Sequence, residues 1–163
     1  TEIATALAEL AATYTAKERY ELAMPLYMRA LDLIRAAEGT SKSCKQVVLL
    51  NDIATALVGQ IQLPAKSQPQ QQPVTAEQTV EAAQKWAEKA IEVAAHIQPP
   101  LRDEECDITC VVATYNLGEL AELRKKPEVA KQRYIEAKAM ADGIGYEEGS
   151  MMAKEALKRL GKR

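Results

Sequence analysis

Two thiols have the spacing that most invites chemistry: Cys106 and Cys110 stand four residues apart in a stretch of helical character, which puts both on one face. They read as helix-packing thiols, with a bond to each other or to Cys44 as the alternative. A zinc site needs more ligands than the single, distant His96 can add. One histidine also leaves little scope for a nucleophilic triad, and neither G-x-S-x-G, nor a P-loop, nor H-E-x-x-H occurs. His96 itself reads as a surface residue at a helix end. Glu104 with Glu105, and Glu147 with Glu148, lack any special spacing and read as solvated. Arg124-Lys125-Lys126 places three positive charges within one helical turn without interleaved aromatic side chains, which reads as a solvated helix end rather than a nucleic-acid contact. The sequence therefore predicts no enzyme, no catalytic residue, no metal site and no cofactor.

Whatever these residues do, the elements that carry them are helical and alanine-rich. Apolar residues make up 47% of the 163-residue chain but aromatics only 4%, with no Phe, so the core must come from Ala, Leu, Ile and Val in closely packed helices. A net charge of −2 with 27% charged residues is too balanced to attract nucleic acid or an anionic membrane in bulk. Three cysteines form no dense framework and argue against a disulfide-stapled secreted domain. No apolar run reaches the roughly 18 residues that a membrane span requires. The chain opens at Thr1 rather than Met, which reads as an excised piece, and leaves open whether an anchor or address was cut away.

The stretch Leu7-x-x-Leu10-Ala11-x-x-Tyr14, then Tyr20, then Ala23-x-x-x-Tyr27-x-x-Ala30-Leu31 fits two helices with small and apolar residues three and four apart. It recurs twice. Leu50-x-x-Ile53-Ala54-x-x-Leu57 repeats the first half, and Ala83-x-x-Trp86-Ala87-x-x-Ala90-Ile91 repeats the second, with Trp86 aligned to Leu26. Between them lies a Gln- and Pro-rich insertion, 63–75, predicted to be a mobile surface loop, followed by a Thr75 and Gln78 capping box. Thr114-x-x-Leu117-Gly118-x-x-Ala121 and Ala130-x-x-x-Tyr134-x-x-Ala137 form the third copy, with Gly118 where Ala11 and Ala54 stood. The spacing predicts a first hairpin of about Glu2–Ala16 and Glu18–Ala37, ended by Gly39 and kinked at Pro25. It also predicts Pro127 in the first turn of a helix, and a last helix packing Met151, Met152, Ala156, Leu157 and Leu160.

These motifs resemble the tetratricopeptide (TPR) repeat, whose signature is W-x-x-L-G-x-x-Y followed by A-x-x-x-F, with Leu7 in place of the Trp, Ala11 of the Gly and Tyr27 of the Phe. The resemblance implies an all-α, TPR-like α-solenoid of three helical hairpins plus a C-terminal capping helix, in one domain over 1–163. Repeat one spans 2–38, repeat two 43–97, repeat three 103–142 and the capping helix 147–161. In that family the first helices of the repeats line a groove that grips a peptide or a helix. Carried over, the groove residues are Thr5, Ala8, Glu9 and Ala12; then Val48, Asn51, Asp52 and Thr55; then Val112, Tyr115, Asn116, Glu119 and Glu122. This surface is apolar and hydrogen-bonding, with four carboxylates and no cation. TPR domains that bind acidic chaperone tails clamp the terminal carboxylate with Lys, Asn and Arg. Here Ala8, Ala12, Asp52, Val112 and Asn116 fill those positions, so acidic tails are excluded and apolar or basic polypeptide segments are favoured. The competing expectation is a structural scaffold that assembles a complex through its convex face or terminal helix.

The segments Thr114 to Glu122 and Ala141 to Gly149, together with long helices and the Gln/Pro insertion, resemble fungal mitochondrial TPR proteins, among them inner-membrane adaptors of the i-AAA protease. That narrower resemblance implies association with an AAA protease complex, a location at the mitochondrial inner membrane facing the intermembrane space, and an anchor outside a fragment that itself makes no membrane contact.

Overall fold

The computed structural model describes residues 1–64 and 75–162, and seven helices are found among them. They are α1 (Glu2–Ala16), α2 (Tyr20–Glu38), α3 (Cys44–Gln62), α4 (Ala76–Ala95), α5 (Glu104–Leu123), α6 (Pro127–Ile144) and α7 (Glu147–Leu160). Most of the insertion expected as a mobile loop, 65–74, lies outside the described residues. Polar side chains define the helix starts: Thr1, Ser43, Thr75 and Asp103 each accept a backbone N–H of the first turn. At Thr75 the capping box is complete, with Gln78 N–H donating to Thr75 Oγ1 at 3.2 Å and Thr75 N–H to Gln78 Oε1 at 3.0 Å. Gly39 and Gly145 end α2 and α6 at φ 63° and 71°, the left-handed region that a side chain would strain.

The turn between the two helices of a hairpin is built identically in repeats one and three. Glu18 and Lys125 both adopt φ 57°, and the following N–H, of Arg19 or Lys126, returns to the carbonyl of Tyr14 or Ala121. This turn explains why α2 starts at Tyr20 rather than at Glu18: a residue in the left-handed conformation cannot begin a right-handed helix. Pro25 lies inside α2 and the helix continues through it on an exposed face.

Successive helices pack as antiparallel neighbours, α1 on α2, α3 on α4, α5 on α6, with α7 closing on α6. The leading helices also meet one another, α1 with α3, α3 with α5 and α5 with α7, whereas α2 and α4, and α4 and α6, do not. Helices that converge on one side and diverge on the other bend the stack, so the face of α1, α3, α5 and α7 is the concave one. Small residues make the convergence possible. Ala11, Ala54, Ala23, Ala83, Ala87 and Ala130 are fully buried, and Gly118 is buried with them. Tyr20 of α2 lies across Gly59 of α3, where a Cβ would come within 2.5 Å of the tyrosine hydroxyl. In α7 the packed stripe is Gly149, Ala153 and Ala156, with Met152, Leu157 and Leu160 half-buried beside it. Met151, expected in that stripe, is 62% exposed.

Two arginines tie the middle of the stack. Arg102 donates to Asp107 Oδ1 at 2.6 Å and to the carbonyls of Ala94 and Ile97, capping the C-terminal end of α4 against the start of α5. Arg124 is not the solvated helix end expected from its run of charges: it binds Gln84 and pairs with Glu77 Oε1 at 3.4 Å, crossing from α5 to α4. The three cysteines are free and buried, as packing thiols should be. Cys44 Sγ donates to Leu101 O at 3.4 Å, and burial pushes the Cys106 and Cys110 thiols up from their ordinary value. His96 caps α4 at the surface, its Nδ1 2.9 Å from Glu92 O. No helix among the described residues is long and apolar enough to cross a membrane, and no group of three or more His, Cys, Asp or Glu there could hold a metal ion.

Candidate polypeptide-binding groove

One repeat position sets the shape of the concave face. Tyr27 of α2 and Tyr134 of α6 are buried where two consecutive leading helices approach, and each reaches back to the first of them. The Tyr27 hydroxyl lies 3.3 Å from Thr15 Oγ1 of α1, and the Tyr134 hydroxyl donates to Glu122 of α5. In repeat two the aligned residue is Ala87. With no ring between them, α3 and α5 pack directly on each other, and Asn116 Nδ2 donates to Asn51 Oδ1 at 3.1 Å and to Thr55 Oγ1 at 2.9 Å. The contacts between α1 and α3, and between α5 and α7, are sparse by comparison. The concave side is therefore two crevices separated by an α3–α5 ridge.

The structure places the expected groove residues unequally across this surface. Thr5, Glu9 and Ala12 are exposed on α1, with Ala8 half-buried. Val48 and Asp52 of α3 and Val112, Tyr115, Glu119 and Glu122 of α5 are half-buried, and Thr55 is exposed. Asn51 and Asn116 are buried and bonded to each other, so they hold the ridge together and are not open to a ligand. The expectation of a surface without a cation also needs correction, because α7 brings one in. Arg159 Nη2 stands 2.6 Å from Glu122 Oε1, and Gln62 Nε2 donates to Glu119 Oε2 at 3.0 Å. Gln62, Tyr115, Glu119, Glu122, Leu123 and Arg159 line a cavity of about 310 Å³ in the second crevice.

Arg159, Gln62 and Leu123 were not among the residues expected in the groove, yet Arg159 was legible. Leu157-x-x-Leu160-Gly161 repeats Leu50-x-x-Ile53-Ala54, which makes α7 a fourth leading helix. Two residues before the small residue stand Glu9, Asp52, Asn116 and Arg159 in the four copies, so one register position runs from acidic in the first two copies through a neutral amide to a cation in the last.

Burial governs the ionisation of the carboxylates here. The Asp52 carboxyl is pushed up to about 6, first by loss of solvent and then by the Glu105 charge that faces it from α5. Glu119 is also raised by burial, with Gln62 and Arg159 opposing the shift. An acid that holds its proton more tightly in the folded state stabilises the fold as pH falls through its folded value and destabilises it as pH rises. Asp52→Asn is expected to raise stability by about 1–2 kcal/mol near pH 7.5, allowing for partial solvent exposure, with the gain fading by about pH 4. Urea denaturation of both proteins across that range checks this; a loss of stability at pH 7.5 contradicts it.

No family model matches the chain, and no solved structure matches it. The chain is similar to a TPR repeat-containing protein of Schizosaccharomyces pombe, with 31% identity over 140 residues that cover 86% of this chain. The fold is a TPR-like α-solenoid. The similarity to that yeast protein supports the TPR family, and the chain spans 36% of the length of the relative it matches. In the solenoid the Trp and Gly of the repeat signature give way to Leu7 and Ala11, while the A-x-x-x-aromatic pattern of the second helix survives at Tyr27 and Tyr134.

Proposed function

We propose that the chain is a non-catalytic, protein-binding segment of the TPR family that captures extended polypeptide in its two concave crevices, with apolar or basic segments preferred. The observation that carries this reading is the pair of partly desolvated carboxylates on the leading helices, Asp52 of α3 and Glu119 of α5, with half-buried Val48 and Val112 on the same two helices. A carboxylate already withdrawn from water gains more from a partner's cation than a fully solvated one, and repels an acidic tail. Within this reading the partner is a protein rather than nucleic acid, and no cofactor takes part. The narrower version, presentation of substrates to a mitochondrial inner-membrane AAA protease, rests on the Thr114 to Glu122 and Ala141 to Gly149 segments. Charge reversal tests the groove: Asp52→Lys combined with Glu119→Lys is expected to weaken partner capture about tenfold or more in a quantitative pull-down from mitochondrial extract. Unaltered capture overturns the reading.

A scaffold role through the convex face is the second reading, favoured by α6, where Val129 and Met140 are 49% and 37% exposed on one side of the helix.

A further inference from the structure

We propose that the cavity between α5 and α7 is a receptor for an arginine side chain of the bound polypeptide, and that Arg159 is an intramolecular stand-in for it. This deepens the groove reading and rests on it. The cavity joins two carboxylates, Glu119 and Glu122, to a wall formed by Tyr115, whose ring is tilted against Tyr134 with centroids 5.1 Å apart. A guanidinium is already seated there: Arg159 binds Glu122 through Nη2 and lies beside the Tyr115 hydroxyl. The two ends of that ion pair differ in freedom. The Glu122 side chain is 12% exposed and fixed by the Tyr134 hydroxyl, whereas the Arg159 side chain is 47% exposed and comes from the last turns of α7. The acceptor is thus preorganised and the occupant is replaceable. Glu119 remains beside it with Gln62 as its hydrogen-bond donor, a second carboxylate that one guanidinium does not neutralise. Planar, forked donors suit such a pair of acceptors better than the point charge of a lysine.

An occupant that must be displaced lowers apparent affinity by the fraction of time the site is closed. Acetyl-arginine amide titrated into ¹⁵N-labelled protein is expected to shift the amides of Tyr115, Glu119 and Glu122. Arg159→Ala is expected to tighten that binding about fivefold, the worth of a partly exposed ion pair. Acetyl-citrulline amide, which keeps the shape and loses the charge, should produce no saturable shift, and acetyl-lysine amide should bind more weakly than the arginine probe. Adding Glu122→Gln to the Arg159→Ala protein, with its fold checked by circular dichroism, should abolish the response. Equal binding of citrulline and arginine probes, no gain on removing Arg159, or no saturable shift in the Arg159→Ala protein each overturns the proposal. Its failure is separable from failure of the groove reading, which predicts polypeptide capture at Asp52 and the α1–α3 crevice whether or not the α5–α7 cavity holds a cation.

Discussion

Tyr134→Ala is expected to destabilise the protein by about 3–5 kcal/mol, the usual cost of emptying a buried aromatic site. The side chain, from α6, is fully buried against α5 and α7, its ring lies against Gly118 and Tyr115, and its hydroxyl ties Glu122 in place. Removing the ring leaves a void that its neighbours close poorly, because the alanines clustered with it, Ala121, Ala130 and Ala156, are already buried and have no longer side chain to fill it. A domain of this size has roughly 5–15 kcal/mol in total, so the loss takes a large share of it. Tyr134→Phe keeps the ring and gives up one hydrogen bond, for about 1 kcal/mol. Urea denaturation monitored by circular dichroism measures both, and a loss under about 1 kcal/mol for the alanine variant contradicts the packing described here.

Gly118→Ala is expected to cost about 2–3 kcal/mol for the same reason seen from the opposite helix. A Cβ at this position would stand 2.5 Å from Cε1 and 2.7 Å from Cδ1 of Tyr134, against a ring whose far side is also packed. The sign should reverse when the ring is gone. With Tyr134→Ala as background, Gly118→Ala removes a helix-interior glycine and should stabilise by up to about 1 kcal/mol. The two substitutions are thus strongly coupled, and additive effects in a double-mutant cycle would show that Gly118 is small for some other reason. Ala11 fills the same position in repeat one and is fully buried there.

Much of this was legible because small residues are informative when they recur. Ala11, Ala54 and Gly118 share a register, and all three are wedged between helices. Thr75 with Gln78, Gly39 and Pro127 marked their helix boundaries by mechanisms that depend on a few adjacent atoms, and the structure uses each of them. The site was less legible. Asn116 shares its register position with Asp52 and Asn51 stands one residue before Asp52, but whether such residues face a ligand or each other depends on how closely α3 and α5 approach. At the position aligned with Tyr27 and Tyr134 a different helix, α4, carries Ala87, which puts no ring between them. Arg124 sits in a run that reads as solvated charge, and only the arrival of Glu77 and Gln84 from α4 makes it a tether. Arg159 was overlooked because α7 reads most simply as a lid on the stack, although Leu157, Leu160 and Gly161 carry the leading-helix pattern.

Capture of polypeptide by the concave face is tested most directly by photo-crosslinking. A benzophenone amino acid placed at Ala12 or Leu123, both exposed on the leading helices, should yield adducts with partner polypeptide in mitochondrial extract, and the same group at Lys89 or Gln132 on α4 and α6 should not. Adducts formed from Lys89 and Gln132 but absent from Ala12 and Leu123 would assign binding to the convex face and contradict the account.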